Sequence, residues 1–539
     1  MKSKHIVALL LFLVFAQGLY IAATKSRTID EVTFHLNSGY RYLTTGIWDI
    51  GINNPPLTAT LAALPLLFVK DKSKFIDFDK GTQIEYINSK PGLFPKSLLL
   101  VSRLIPLLFM VLLGWFVFLW ARDLYGIKAG LFALFLYSFS PNMLAFGSLV
   151  TADIGGALFI FLSMYTFWKY ISNPTMKSLL IAGICFGLAQ ITKMLAVFLI
   201  PAFILYCLMI YFFRDFNANF LFNFQNKNTK KISDIVLSLF IVFVIGLLII
   251  NTAYLFKGTF TPLGKYSKQE FMSSTFKNLY ENNLVNWIPI PLPKQYVLGH
   301  DQAQWQAKDE VRGFFFWGNI AERFRSYYVL HLLIKTPIAI FVLIFLGFLY
   351  FRKLTIPEIF MIFYIFLILF MLTFFSKLAI GYRHVLSVYP LLCLFSARIL
   401  KDGIPKNKIV TALIAASALW YLASSLLVFP HHLAYFNEFI GVKNGYKYTI
   451  DSNLDWEQDL DLVKKYTSQN KNVLVDPGCQ PVTGRILVPA NSLQFQKWVC
   501  YQWLKQNFNP VDYIGYSWLV YDVKGQWQQT DKGFVFIKE

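Results

Sequence analysis

Apolar residues run along this chain in blocks of about twenty, separated by short polar and basic connectors. The blocks lie at 5–23, 98–120, 129–147, 150–168, 177–191, 194–213, 234–256, 330–350, 356–375, 383–400 and 409–429. An α-helix rises about 1.5 Å per residue, so each block approaches the roughly 20 residues that cross a hydrocarbon layer about 30 Å thick. The pattern predicts about eleven spanning helices. Ala22 and Ala23 resemble a leader-cleavage site, but the length of the first block favours a retained span. A shorter run at 56–69 opens on Pro-Pro and reads as an interfacial helix.

Beyond residue 429 the pattern changes. Polar helical periodicity at 455–470 and 493–507 is followed each time by a strand-like run, NVLV and then DYIGYSWLVYDV, which predicts a small α/β layer. The expected fold is therefore membrane all-α, a polytopic bundle over 1–429 with outer loops at 24–97 and 257–329. A small extracytoplasmic α/β domain is expected over 430–539.

Composition agrees with that class. The 539 residues are 56% hydrophobic and 18% aromatic, which excludes an ordinary soluble domain. Lys and Arg number 50 against 30 Asp and Glu, yet the excess sits in short connectors, an orientation signal rather than a nucleic-acid surface. With the N-terminus in the cytoplasm, one side receives Lys2, Lys4, Arg122, Lys128, Lys169, Lys177, Arg214, Lys227, Lys230, Lys231, Arg352, Lys353, Lys401, Lys406 and Lys408. The opposite short loops hold Lys193, Lys377 and Arg383. This places the protein in a plasma or inner membrane, with 24–97, 257–329 and 430–539 facing outward. Cys185, Cys207 and Cys393 lie in apolar runs and read as packing residues, whereas Cys479 and Cys500 fall in a polar region where a disulfide is open to them.

The stretch DSNLDWEQDLDL at 451–462 places five carboxylates in twelve residues. A calcium loop of the EF-hand type needs Gly at position 6 and Glu at position 12, where this chain has Trp456 and Leu462. Asp459 and Asp461 would diverge on a helix, so the stretch reads as an acidic helix start joining the bundle to the outer domain. The adjacent His431 and His432 point about 100° apart on a helix and read as interfacial rather than chelating. No phosphate loop or dinucleotide fingerprint occurs, so a soluble nucleotide donor is not indicated.

Charges at the ends of apolar blocks carry more information, because they are costly to place near a membrane. Asp30 and Glu31 follow the first block, and Asp153 begins the fourth. Lys193, Lys335, Arg383 and His384 reach the same expected outer level. Carboxylates beside cations at a bilayer edge suit transfer of a sugar from a lipid phosphate to a hydroxyl. Cations neutralise the leaving phosphate, and a carboxylate takes the acceptor's proton.

The motifs TIDEVTFHLNSGYRYL with NNPPL, SLVTADIGGALF, PIPLPKQYVLGHDQ, HLLIKTP, GYRHVLSVYP and HHLAYFNEFIGVKNGYKYTIDSNLDWEQDL occur in this order. Together they resemble the GT-C glycosyltransferases of the dolichyl-phosphate-mannose protein mannosyltransferase type, from Asp30 to about residue 465. The resemblance implies a polyprenyl-phosphate sugar donor and a hydroxyl acceptor on protein, lipid or cell-wall glycan. It implies transfer outside the cytoplasm, usually with inversion. It assigns catalysis to Asp30 with Glu31 beside it and to Asp153, and places the lipid phosphate at Arg383, flanked by Tyr382 and His384. Lys193 and Lys335 are further candidates, each alternatively an anchor snorkelling to head groups.

Departures from the pattern matter too. Related aminoarabinose transferases carry an acidic residue and a Lys directly before Pro-Pro, where this chain has Asn53 and Asn54. No metal site is therefore assigned, although a divalent metal stays open as the sole cofactor. Ser387 stands where Pro is usual, and Glu457 where Gly is usual. The competing reading is a transporter or flippase of lipid-linked sugars, which would favour repeated halves and midplane charges. A membrane sensor would leave Asp30, Asp153 and Arg383 unexplained.

Overall fold

The computed structural model describes residues 2–69, 94–212, 232–282, 286–351, 353–496, 500–530 and 533–537. Arg214, Lys227, Lys230, Lys231 and Arg352, used above for orientation, lie outside the described residues, as does much of the 24–97 loop.

The chain is a multi-pass membrane protein. Among the described residues eight helices are long and apolar enough to cross a bilayer, and two bent pairs raise the number to as many as ten. The expected eleven shrink for local reasons. The block at 177–191 forms the 15-residue helix Met176–Gln190, shorter than a span requires. The block at 129–147 breaks into Ile127–Ser138 and Pro141–Gly147, bent by 61°. The block at 330–350 breaks into Tyr327–Lys335 and Ile338–Tyr350, bent by 96°.

Proline causes both breaks, since it lacks an amide hydrogen and pushes its predecessor out of the helical region. At the first, Ser140 precedes Pro141 and caps the new helix by accepting from Met143 N. At the second, Pro337 frees carbonyls that the structure reclaims. Asn437 Nδ2 donates to Leu333 O at 2.7 Å and Thr336 O at 3.1 Å, and Asn142 Nδ2 donates to Lys335 O at 2.7 Å. The two broken spans thus hold each other, satisfying the backbone inside the bundle.

Burial separates central from peripheral spans. Ala152–Ser172 and Tyr382–Leu400 are 83% and 89% buried over their most apolar windows, whereas Lys408–Leu426 is 22% buried. Peripheral helices turn residues such as Phe12, Phe240 and Leu419 outward, where lipid replaces a protein partner. The central two bury aromatic and aliphatic side chains in one continuous core. Asp153 and Arg383 stand at the beginnings of these two most buried spans.

A short antiparallel hairpin, β1 Phe314–Phe316 with β2 Asn319–Ala321, precedes the second broken pair. After the last span come 3-10 turns, the helix Leu460–Gln469 and a four-stranded sheet. Its strands are β3 Val473–Val475, β4 Gly484–Pro489, β5 Asp512–Ile514 and β6 Trp518–Val523, in the order β3-β4-β6-β5. β3 pairs parallel with β4, and the other pairings are antiparallel. The run DYIGYSWLVYDV is therefore two strands, turning at Gly515 and Tyr516, which both have positive φ. A disulfide joins Cys479 to Cys500. The helix expected at 493–507 appears as Ser492–Gln496 and Gln502–Asn507, with 497–499 outside the described residues.

The acidic stretch at 451–462 is mostly turns and 3-10 helix rather than the start of a long helix. Its charges fan out: Asp455 accepts from Asn491 N, Asp459 meets Lys25 at 2.5 Å and Ser517 Oγ at 2.7 Å, and Asp461 meets Lys96 at 2.7 Å. Ser26 N donates to Gln458 O at 2.9 Å. The stretch joins the end of the first span to the sheet.

Candidate active site

Asp30 precedes a π-helix, Glu31–Leu36, a wide turn often found at functional positions. This turn separates the neighbouring carboxylates. Glu31 is fully buried and accepts from Arg103 Nε at 2.8 Å, Arg103 NH2 at 2.6 Å, Thr28 N at 2.8 Å and Val150 N at 2.9 Å. Burial alone would raise its pKa, but the Arg103 charge and these hydrogen bonds outweigh it and hold the carboxyl below its ordinary value. Asp30 turns the other way and keeps a side-chain exposure of 19%. Its Oδ2 accepts from Arg383 NH1 at 3.0 Å, and its Oδ1 has no partner among the described residues.

A second pair lies beside the first. Asp153 sits in the first turn of Ala152–Ser172, where a negative charge suits the helix dipole, and accepts from Lys193 Nζ. The same ammonium donates to Arg383 O at 3.2 Å, linking the pairs. Lys193 lies across Gly156, where an added Cβ would come within 2.8 Å of Lys193 Cδ. That explains one glycine of SLVTADIGGALF: the lysine stem needs the space.

Arg383 lies over the Trp456 ring at 4.8 Å from its centroid. Among the described residues its buried Nε has no hydrogen-bond partner, and neither has His384 Nε2. Arg383 Nε can only donate, whereas His384 Nε2 donates or accepts according to its tautomer. The turn that presents them depends on Gly381, at φ 138°, where a Cβ would meet Ser452 Oγ at 2.7 Å. Asn453 Oδ1 accepts from Tyr382 N at 2.7 Å and fixes the same turn.

The structure thus brings together Asp30, Asp153, Lys193, Arg383 and His384. Tyr382 is adjacent but buried, its hydroxyl 3.3 Å from Thr336 Oγ1. Lys335 stands apart. It is 1% exposed and donates to Leu433 O at 2.8 Å and Asn453 O at 2.6 Å, strapping the broken span to the acidic stretch. Asn53 and Asn54 face other partners, Asn53 bonding Gln302 and Gln306. His431 approaches Lys25 and Asp459, while His432 meets Ser425. Among the described residues no group of three or more His, Cys, Asp or Glu is arranged to hold a metal ion.

Sequence reasoning missed three members of this region. Arg103 is a lone charge inside an apolar block, a signal that a buried partner must exist. His35 is buried near Asp30 and Asp153, and desolvation lowers its pKa below the ordinary value. Trp456 was legible only as the residue that spoiled a calcium loop.

A family model described as dolichyl-phosphate-mannose-protein mannosyltransferase matches residues 93–223. No curated protein matches this chain. Among solved structures, the apo Archaeoglobus fulgidus oligosaccharyltransferase is similar at 14% identity and TM-score 0.48, over 79% of this chain and 54% of that one. ArnT from Cupriavidus metallidurans bound to undecaprenyl phosphate is similar at 11% identity and TM-score 0.46, over 96% and 97%. The S. cerevisiae protein O-mannosyltransferase Pmt1-Pmt2 complex bound to the sugar donor is similar at 20% identity and TM-score 0.37, over 53% and 37%. This chain spans about half the length of the archaeal enzyme. Its resemblance to the GT-C glycosyltransferases rests on the family match, which takes in Asp153 and Lys193, together with the ordered motifs.

Proposed function

We propose that this chain is an integral membrane glycosyltransferase that moves a sugar from a polyprenyl-phosphate donor to a hydroxyl acceptor on the extracytoplasmic side. The observation that carries this reading is an ion pair left incomplete: Asp30 and Arg383 meet through one contact, and among the described residues the buried Arg383 Nε and the neighbouring His384 Nε2 have no hydrogen-bond partner. Buried polar groups are ordinarily satisfied, so unused ones in a cluster of opposite charges point to a ligand.

In this reading Asp30 is the base. The acceptor oxygen forms a bond to the anomeric carbon as that carbon's bond to the phosphate oxygen breaks, and the acceptor proton passes to Asp30. One displacement at one carbon inverts it. Arg383 and Lys193 take up the charge growing on the leaving phosphate, with His384 Nε2 beside them. Asp153 keeps Lys193 in place, and Glu31 holds Arg103 and thereby the turn that aims Asp30. Lys335 serves as a strut rather than a phosphate ligand.

Purified protein incubated with a panel of radiolabelled prenyl-phosphate sugars and membrane extracts, with and without chelator, tests the reading. One donor should pass its label to a hydroxyl-bearing product in a reaction that Asp30→Asn abolishes. Absence of transfer from every donor in the panel would overturn it.

A further inference from the structure

Next to the cluster lies a cavity of about 90 Å³ lined by Arg312, Phe314, Phe315, Ala379, Asp451 and Asn491 among others. It touches the site through two chain segments. Ala379 is four residues before Arg383, and Ser452 Oγ donates to Ile380 O, tying the acidic stretch to that turn. The charges of Arg383 and Asp30 both act on the Asp451 carboxyl.

Asp451 is held there by its neighbours. Its φ is 63°, in the left-handed region, which Asp and Asn enter more readily than other side-chain-bearing residues. Asn491 supplies the fixing: its Oδ1 accepts from Asp451 N at 2.8 Å, and its Nδ2 is spent on Asp455 O at 2.8 Å. The result aims a carboxylate at Arg312 without closing the pair. Arg312 NH2 lies 3.4 Å from Asp451 Oδ2, longer than the roughly 2.7–2.9 Å of an engaged charged hydrogen bond. Both side chains stay partly exposed, at 43% and 34%. Arg312 also lies over the Phe314 ring at 5.5 Å.

We infer that this cavity binds a sugar ring through two adjacent hydroxyls, one donating to Asp451 and the other accepting from Arg312, with the ring over the phenylalanine walls. Asp451 Oδ1 accepts from Ser452 N at 2.6 Å, so its Oδ2 and the loosely paired guanidinium beside it offer an acceptor and donors at neighbouring points, above an apolar floor. A vicinal diol matches both, whereas a serine or threonine side chain has a single hydroxyl. The inference rests on the transferase reading only for which sugar is meant, the one being transferred or a glycan acceptor.

Direct binding separates the two readings. The full chain in detergent is titrated with methyl hexosides by saturation-transfer NMR, using wild type, Asp451→Asn and Arg312→Gln. Asn tolerates the left-handed conformation, so the first variant keeps the turn. The parent hexoside should bind wild type, and each variant should weaken it by about tenfold or more, the loss of one hydrogen bond to a charged group. A deoxy hexoside lacking one hydroxyl of the pair should bind wild type correspondingly less. Equal binding to wild type and both variants, or of parent and deoxy sugars, overturns the inference. In transfer assays, a raised KM for the lipid donor in Asp451→Asn assigns the diol to the transferred sugar, and a raised KM for a glycan acceptor assigns it to the acceptor. Both KM values unmoved, as with a peptide acceptor contacting neither residue, also overturns it. Hexoside binding through Asp451 without transfer from any donor upholds this cavity and sinks the transferase reading instead.

Discussion

Arg383 and Arg398 stand near opposite ends of one span, Tyr382–Leu400, and meet carboxylates of unequal completeness. Arg398 Nε contacts Glu358 Oε1 at 2.5 Å, NH1 donates to Gly347 O at 2.9 Å and NH2 to Lys353 O at 2.5 Å. Glu358 also accepts from Tyr125 OH at 2.8 Å and from Thr355 N at 2.6 Å, and both charged side chains are fully buried. Arg383 meets Asp30 once, with exposures of 15% and 19%, and its Nε has no partner among the described residues. Arg103 with Glu31 repeats the closed arrangement one residue away from Asp30. Closed pairs fix where helices sit. In the proposed reading the open pair is the one that meets the lipid phosphate and the acceptor.

Mutations should separate the two kinds of pair. Glu358→Ala leaves Arg398 buried without its countercharge and should lose about 3–5 kcal/mol, seen as failure to accumulate or a collapsed thermal midpoint in detergent. Arg383→Ala should leave that midpoint nearly unmoved while cutting kcat/KM for the lipid donor by about 10- to 100-fold, the range for one charged hydrogen bond. An unchanged rate and KM there would remove Arg383 from the phosphate. Gly381→Ala should cost about 1–3 kcal/mol, because the residue's φ and the Ser452 hydroxyl both oppose a Cβ. Loss of transfer should accompany it, as the turn presenting Arg383 shifts.

The smallest effect concerns pH. Burial pushes the Asp455 carboxyl up to about 7, with Asp459 and Glu457 adding like charge. Between the unfolded value of about 3.9 and 7 the folded protein binds the extra proton, so this group's contribution to stability falls as pH rises through that window. Asp455→Asn should remove that decline. Glu31, held below its ordinary value, acts in the opposite sense at lower pH and cancels when variant and wild type are compared.

Much of this was legible in the sequence, for a physical reason. Spans announce themselves through length and apolarity, and charges at their ends are too costly to be casual, which is why Asp30, Asp153, Lys193 and Arg383 stood out together. Breaks were less visible. Pro141 and Pro337 were in plain view, but that Pro337 divides its span rather than kinking it depends on Asn142 and Asn437 reclaiming the freed carbonyls, contacts made across 193 and 104 residues. Lys335 read as a phosphate candidate because sequence cannot show that its ammonium is spent on two carbonyls. Asp30 and Glu31 were inseparable as letters. The π-turn that sends one into the core and the other toward Arg383 has no sequence signature of its own.

The adjacent carboxylates offer the most direct test. Transfer rate and thermal midpoint are measured side by side for Asp30→Asn and Glu31→Gln in purified protein supplied with its labelled prenyl-phosphate donor. Asp30→Asn should keep the midpoint and lose about 10²- to 10⁴-fold in rate, the usual worth of a general base, while Glu31→Gln should lose stability first. Turnover at the wild-type rate in folded Asp30→Asn would contradict the account.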